Sequence, residues 1–264
     1  MKIFDLKKHS AISANFSDKK LDNSRLTEDY DISVFINNSS QKELTKDEIK
    51  AQKKLERAME KAEKKRITNV PDGIIQGAKQ GSEAGDCWLL AQINSLSRTD
   101  WGKDILKNAI NTDDEGNYVV HFKGVKEDIK INKEDFKRIQ GNTKYSSGDA
   151  DVLLYEIAVE RYFKKSGLNN GTIKGNDLAG MDSLNYLLTG SMGKQFSNID
   201  RMEPILKAMG GNTKNNNGIS ATYIYKDTSP DNVKDSNHAI SIQKVILDEN
   251  GNIDKVVVLD AYHP

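Results

Sequence analysis

A single cysteine stands in 264 residues, which excludes any disulfide within the chain and fits a reducing compartment. Charge of one sign is also lacking: 39 basic residues face 39 acidic ones. A nucleic-acid or anionic-membrane binder would carry a basic patch, so neither partner is expected. No apolar run approaches the ~20 residues of a membrane-spanning helix. Met1–Ser10 holds no apolar stretch of the kind a secretory leader needs. The expected location is the cytoplasm, with export by a signal-independent route left open. Histidine is scarce as well, four in all, and none forms a short-spaced ligand pair with another histidine or with the cysteine. A structural zinc site normally takes four ligands, so no metal or cofactor is expected. The Asn-rich loop Asn212–Gly218 matches no calcium-loop spacing.

What is present falls into three stretches. Residues 1 to about 44 are polar, with one short apolar patch at Ile32–Ile36, a composition that predicts a poorly ordered or loosely docked arm. Thr45–Lys65 reads as a charged helix opened by the capping box Thr45-Lys-Asp-Glu48 and carrying only a narrow apolar stripe. Pro71-Asp-Gly73 breaks the chain, and the main domain is taken to run from 67 to 264 behind an arm of 1–66. Helices are predicted over Cys87–Leu96, Lys103–Ile110, Asp151–Phe163, Asp182–Leu188 and Arg201–Met209, the third apolar on more than one face and so buried. Tyr118–Phe122 and Glu127–Ile131 read as a strand pair. The last third holds strands at Gly218–Tyr225, Ala239–Ile246 and Lys255–Asp260, the final two joined through Asp248–Gly251. Helices first and strands later predict an α+β fold, with a helical lobe at about 67–210, a β lobe at about 211–264 and a cleft between them.

The chemistry gathers at Gln80-Gly-Ser-Glu-Ala-Gly-Asp-Cys87-Trp-Leu-Leu-Ala, where a glycine-containing loop turns into an apolar helix. A lone cysteine in such a helix is most often a small buried hydrophobe. This one sits at the helix start, where unpaired N–H groups favour a thiolate and can then receive an oxyanion. Gln80 has the amide needed for a second oxyanion donor, although a loop glutamine is usually plain surface. His238 opens an apolar strand and Asp260 closes the next one. Adjacent antiparallel strands bring such a pair together, which fixes the imidazole tautomer and leaves its other nitrogen for a thiol. The duller alternatives are a satisfied core histidine and a strand-end aspartate.

Cysteine, then histidine, then a carboxylate or amide is the chain order of papain-like thiol proteases. Within that group the chain resembles the calpain family. The resemblance rests on Gln80-Gly81 and Gly85-Asp86-Cys87-Trp88-Leu89-Leu90-Ala91 with Ser95-Leu96 behind it, on Asn237-His238-Ala239-Ile240-Ser241, and on Leu153–Tyr162 and Leu187-Leu-Thr-Gly190. It covers about residues 70 to 264. It implies a papain-like fold with a helical lobe, a β lobe and an active site in the cleft between them. By the same resemblance Cys87 is the nucleophile, His238 the general acid–base and Gln80 the oxyanion donor in hydrolysis of a peptide or protein substrate. Three departures stand out. The gap from Gln80 to Cys87 is one residue longer than the family pattern. Leu259-Asp260-Ala261-Tyr262 replaces the family's Asn-Pro-Trp. The chain stops soon after Asp260, where calpain cores continue, and Pro71–Gly81 offers no convincing ligand set, so calcium control is not expected. A catalytically silent binding module on the same fold has no chemical need for both Cys87 and His238. An acyltransferase would share the triad and differ in the acceptor. The arm is expected to dock on the chain's own cleft or on a partner, and if it inhibits, removing residues 1–66 raises activity.

Overall fold

The computed structural model describes residues 2–4, 13–16, 54, 57, 58, 61, 69–175, 183–196, 199–210, 218–226 and 235–262. The chain divides into two units, Met1–Asp18 together with Ile67–Pro264, and Lys19–Arg66. In the second unit Lys54, Arg57, Ala58 and Lys61 are helical and exposed. The remainder of the charged helix predicted at Thr45–Lys65, the patch Ile32–Ile36, residues 212–217 of the Asn-rich loop, His9 and His263 lie outside the described residues.

The larger unit is mixed α+β. Its described helices are α1 (Cys87–Leu96), α2 (Asp100–Ala109), α3 (Lys133–Ile139), α4 (Ala150–Ser166), α5 (Leu184–Thr189) and α6 (Ile199–Gly210). Its strands are β1 (Lys2–Phe4), β2 (Ser13–Phe16), β3 (Ile110–Thr112), β4 (Tyr118–Phe122), β5 (Glu127–Ile131), β6 (Lys194–Phe196), β7 (Ile219–Lys226), β8 (Asp235–Leu247) and β9 (Ile253–Leu259). The strands form a three-stranded sheet β3-β4-β5 and a six-stranded sheet in the order β1-β9-β8-β7-β2-β6. Among the described residues, these strands pair antiparallel throughout.

Two features bear on the expected domain boundaries. The arm drawn at 1–66 is divided, because β1 pairs with β9 (Ile3 opposite Val257) and β2 pairs with β7 and β6 (Ala14 opposite Ala221 and Phe196). Removing residues 1–66 would therefore strip two strands from the sheet, whereas removing 19–66 leaves them in place. The helix that ends at 210, where the lobe boundary is drawn, packs on the large sheet. Met202, Leu206 and Met209 of α6 bury themselves against Ile219, Ile240, Ile242, Val245, Val256 and Val258 of the large sheet. A helix that follows other helices in sequence thus belongs to the sheet's core, since its apolar stripe matches that sheet face.

A second core joins α1, α2, α4 and α5 to the three-stranded sheet. All of α1 after Cys87 is buried, and the helix lies against β8 and β7. Successive residues of β8 alternate between the cores, Ala239 with α1 and Ile240 with α6, as the pleat dictates. Helix α4 begins where Asp149 accepts hydrogen bonds from the N–H groups of Asp151 and Val152, and it ends at Gly167 with φ 74°. Asp149 and Asp151 also fasten the approach to the candidate site: Asp151 accepts from the N–H groups of Asp72 and Gly73 at 3.0 Å, and Asp149 from that of Gln76 at 2.7 Å. Among the described residues no helix is long and apolar enough to cross a membrane.

Candidate active site

Helix α1 starts where its sequence loses the freedom of the preceding loop. Gly85 holds φ +61°, a conformation that side-chain-bearing residues adopt at a cost, and Asp86 follows as the N-cap residue. The first turn is pinned from both sides. The Trp88 Nε1–H donates to the Ile173 carbonyl at 2.6 Å, and its ring stacks on Phe163 with centroids 6.0 Å apart. The Gly175 N–H donates to the Gly85 carbonyl at 3.0 Å. Cys87 is left half-buried between the fully buried Asp86 and Trp88.

His238 lies within β8, opposite Tyr223 of β7, and Asp260 follows directly after β9. Strand β8 begins earlier than the sequence pattern suggests, so the histidine is inside the strand. His238 Nε2 and Asp260 Oδ1 stand 2.7 Å apart, with side chains 17% and 5% exposed. The same Oδ1 accepts from the Tyr262 N–H at 2.9 Å, and the Tyr262 ring meets the imidazole edge-on at 6.2 Å. The Cys87 thiol is also a hydrogen-bonding partner of His238. Because Nε2 is engaged by Asp260, Nδ1 is the nitrogen that serves the thiol. Burial opposes charge on the ring, but the hydrogen bonds and negative charges of Asp260 and Cys87 outweigh it and lift His238 from 6.5 to about 9. The imidazole is therefore held as imidazolium at neutral pH, the state that stabilises a neighbouring thiolate.

Gln80 is tied to the same place through its backbone. Its N–H donates to the carbonyl of Ala261, the residue after Asp260, at 2.8 Å. Lys79 and Ser147 exchange hydrogen bonds at 2.8 and 2.9 Å, which pairs this loop with residues 143–147. The Gln80 Oε1 is buried and has no hydrogen-bond partner. The structure thus brings Cys87, His238 and Asp260 into one connected chain and attaches Gln80 by its backbone to the end of that chain. Among the described residues no group of three or more His, Cys, Asp or Glu is arranged to hold a metal ion.

Gly81 shows how closely these loops approach. A side chain there would meet the carbonyl oxygens of Tyr145 and Thr143 well inside contact distance. Gly81→Ala must push the loops apart, and a loss of about 1–3 kcal/mol of stability in urea unfolding is expected. An unchanged unfolding midpoint would mean that the 143–147 loop yields freely.

Sequence reasoning passed over one acidic pair. Asp86 and Glu156 are both fully buried, and their carboxyls are neighbours. Glu156 also accepts from the Ser146 N–H at 2.9 and 3.0 Å and from the Ser146 hydroxyl. The signal was available: a carboxylate between Tyr155 and Ile157, in a helix apolar on several faces, has little chance of reaching water. Comparisons with protein-family models, with curated proteins and with solved structures find no match for this chain.

Proposed function

We propose that the protein is a cysteine endopeptidase of calpain-like type, on a papain-like fold, acting through Cys87, His238 and Asp260. The observation that carries this reading is the continuous contact from thiol to imidazole to carboxylate at the start of a buried helix. In the proposed reaction the Cys87 thiolate attacks a peptide carbonyl carbon. The carbonyl oxygen becomes an oxyanion, received by the Cys87 N–H at the helix N-terminus and by the Gln80 side-chain amide. His238 gives its Nδ1 proton to the departing amine, which breaks the C–N bond and leaves a thioester on Cys87. Neutral His238 then takes a proton from water, whose oxygen attacks the thioester, and the thiolate leaves as the carboxylic acid forms. Asp260 holds the imidazole in place and stabilises its charged form throughout.

The direct test is digestion of an unfolded protein substrate by the full chain and by Cys87→Ser, with peptides identified by mass. Cleavage by the wild type, its absence in the variant, and a covalent adduct of one peptidyl electrophile per chain are expected. Equal product from both proteins would show that the cut comes from elsewhere. Products carrying an acyl group on an added amine or thiol, with no water-derived acid, would point to transfer in place of hydrolysis.

A further inference from the structure

The residue before Cys87 does not do what its type and position predict. Aspartate is among the preferred N-cap residues, because its carboxylate accepts from the N–H groups of the first turn. Asp86 occupies the N-cap of α1, yet its side chain makes no capping hydrogen bond. No acidic residue sits in the first turn either. The carboxylate is buried in the interior, where apart from its own backbone N–H and Glu156 neither oxygen meets a hydrogen-bond partner. Its neighbour there is the carboxyl of Glu156, itself fully buried.

Two carboxylates in contact have no proton between them, and each would repel the other. A single proton removes both problems: a protonated Glu156 donates to Asp86 and supplies the donor that Asp86 otherwise lacks. Burial raises both groups above their ordinary range, Glu156 well above it, which accords with a retained proton. The remaining lone pairs of Glu156 accept from the Ser146 N–H and hydroxyl. Glu156 therefore reaches two parts of the site at once. Through Asp86 it meets the start of α1. Through Ser146 and the next residue, Ser147, it meets Lys79 and the loop that carries Gln80.

We propose that Glu156 is a positioning residue that holds Asp86 away from the N-terminus of α1, keeping that N-terminus open for the Cys87 thiolate and the oxyanion. A capping carboxylate over the first turn would occupy N–H groups there and set a negative charge beside the sulfur. The stability that a cap normally contributes is given up, and the helix end keeps its positive field for the reacting groups. This role rests on the cysteine-peptidase reading of the site.

The test compares wild type, Glu156→Ala, Glu156→Gln and the double variant Glu156→Ala/Asp86→Ala. It measures kcat and KM on a peptide substrate, the alkylation rate of Cys87 by iodoacetamide, and Tm. In Glu156→Ala the carboxylate of Asp86 is released to cap its own helix. A fall in kcat of about 100-fold is expected, with KM little changed and alkylation slowed. Removing that carboxylate in the double variant reopens the helix end and restores about tenfold of the lost kcat, the non-additivity that coupled neighbours show. Glu156→Gln keeps an amide donor for Asp86 and an acceptor for Ser146, so it retains most of the rate and guards against a variant that simply fails to fold. A wild-type rate in Glu156→Ala overturns the proposal. So does a folded double variant with no recovery, or a Glu156→Gln as slow as Glu156→Ala, because plain structural support would then account for the loss. If the wild type itself neither cleaves peptide nor alkylates rapidly, the peptidase reading fails first, and its failure is visible before any variant is compared.

Discussion

Replacing His238 by alanine lowers kcat by about 10²–10⁴-fold, the range that a positioned general acid–base contributes. The same change slows alkylation of Cys87, followed against pH by intact mass, because the imidazolium that favours an anionic sulfur is gone. One cysteine in the chain makes the readout unambiguous. Superimposable pH profiles for the two proteins would sink the catalytic reading and leave a fold used for binding.

Asp260 gives the second large effect, and it separates charge from orientation. Asp260→Ala frees the imidazole and leaves its tautomer unset, with a loss in kcat on the order of 10⁴-fold expected from comparable triads. Asp260→Asn keeps a hydrogen-bonding group beside Nε2 but removes the negative charge. His238 then falls from about 9 toward 6.5, and the alkaline limit of activity moves down with it. Linkage carries the same shift into stability. The folded-state value of His238 lies above the ordinary one, so its pairing stabilises the fold fully below pH 6.5 and is lost as pH rises through 9. The Tm of the wild type should therefore fall as pH rises across that window, and Asp260→Asn should flatten the slope. A wild-type alkaline limit near 6.5, unmoved by Asp260→Asn, would show that the carboxylate does not govern the ring.

Local pattern was a good guide wherever the period was long or the punctuation strong. Helix α1 spans Cys87–Leu96, and β4 and β5 span Tyr118–Phe122 and Glu127–Ile131, all as the residues suggest. Helix α4 gains only a residue or a few at either end, where Asp149 and Gly167 supply the cap and the stop. Short elements were not readable. Lys2–Phe4, Ser13–Phe16 and Lys194–Phe196 are too brief to show alternation, and each is a strand only because a longer neighbour offers it a pairing edge. Helix α3 was passed over for the same reason, although Asn132 caps it by accepting from the N–H groups of Glu134 and Asp135.

The candidate site divides along the same line. By itself the sequence determined that any thiol chemistry must use Cys87, that this residue opens a helix behind a glycine, and that few histidines could serve it. These follow from composition and from backbone preferences acting over a few residues. Tertiary structure alone decided the rest. It set the β8–β9 register that brings His238 and Asp260 to 2.7 Å across 22 residues of chain. It chose Nδ1 for the thiol by giving Nε2 to the carboxylate. It turned Asp86 inward to Glu156, against its own capping preference. Each outcome depends on which buried groups meet once two cores have closed, and packing between distant segments settles that where local propensity has nothing to say.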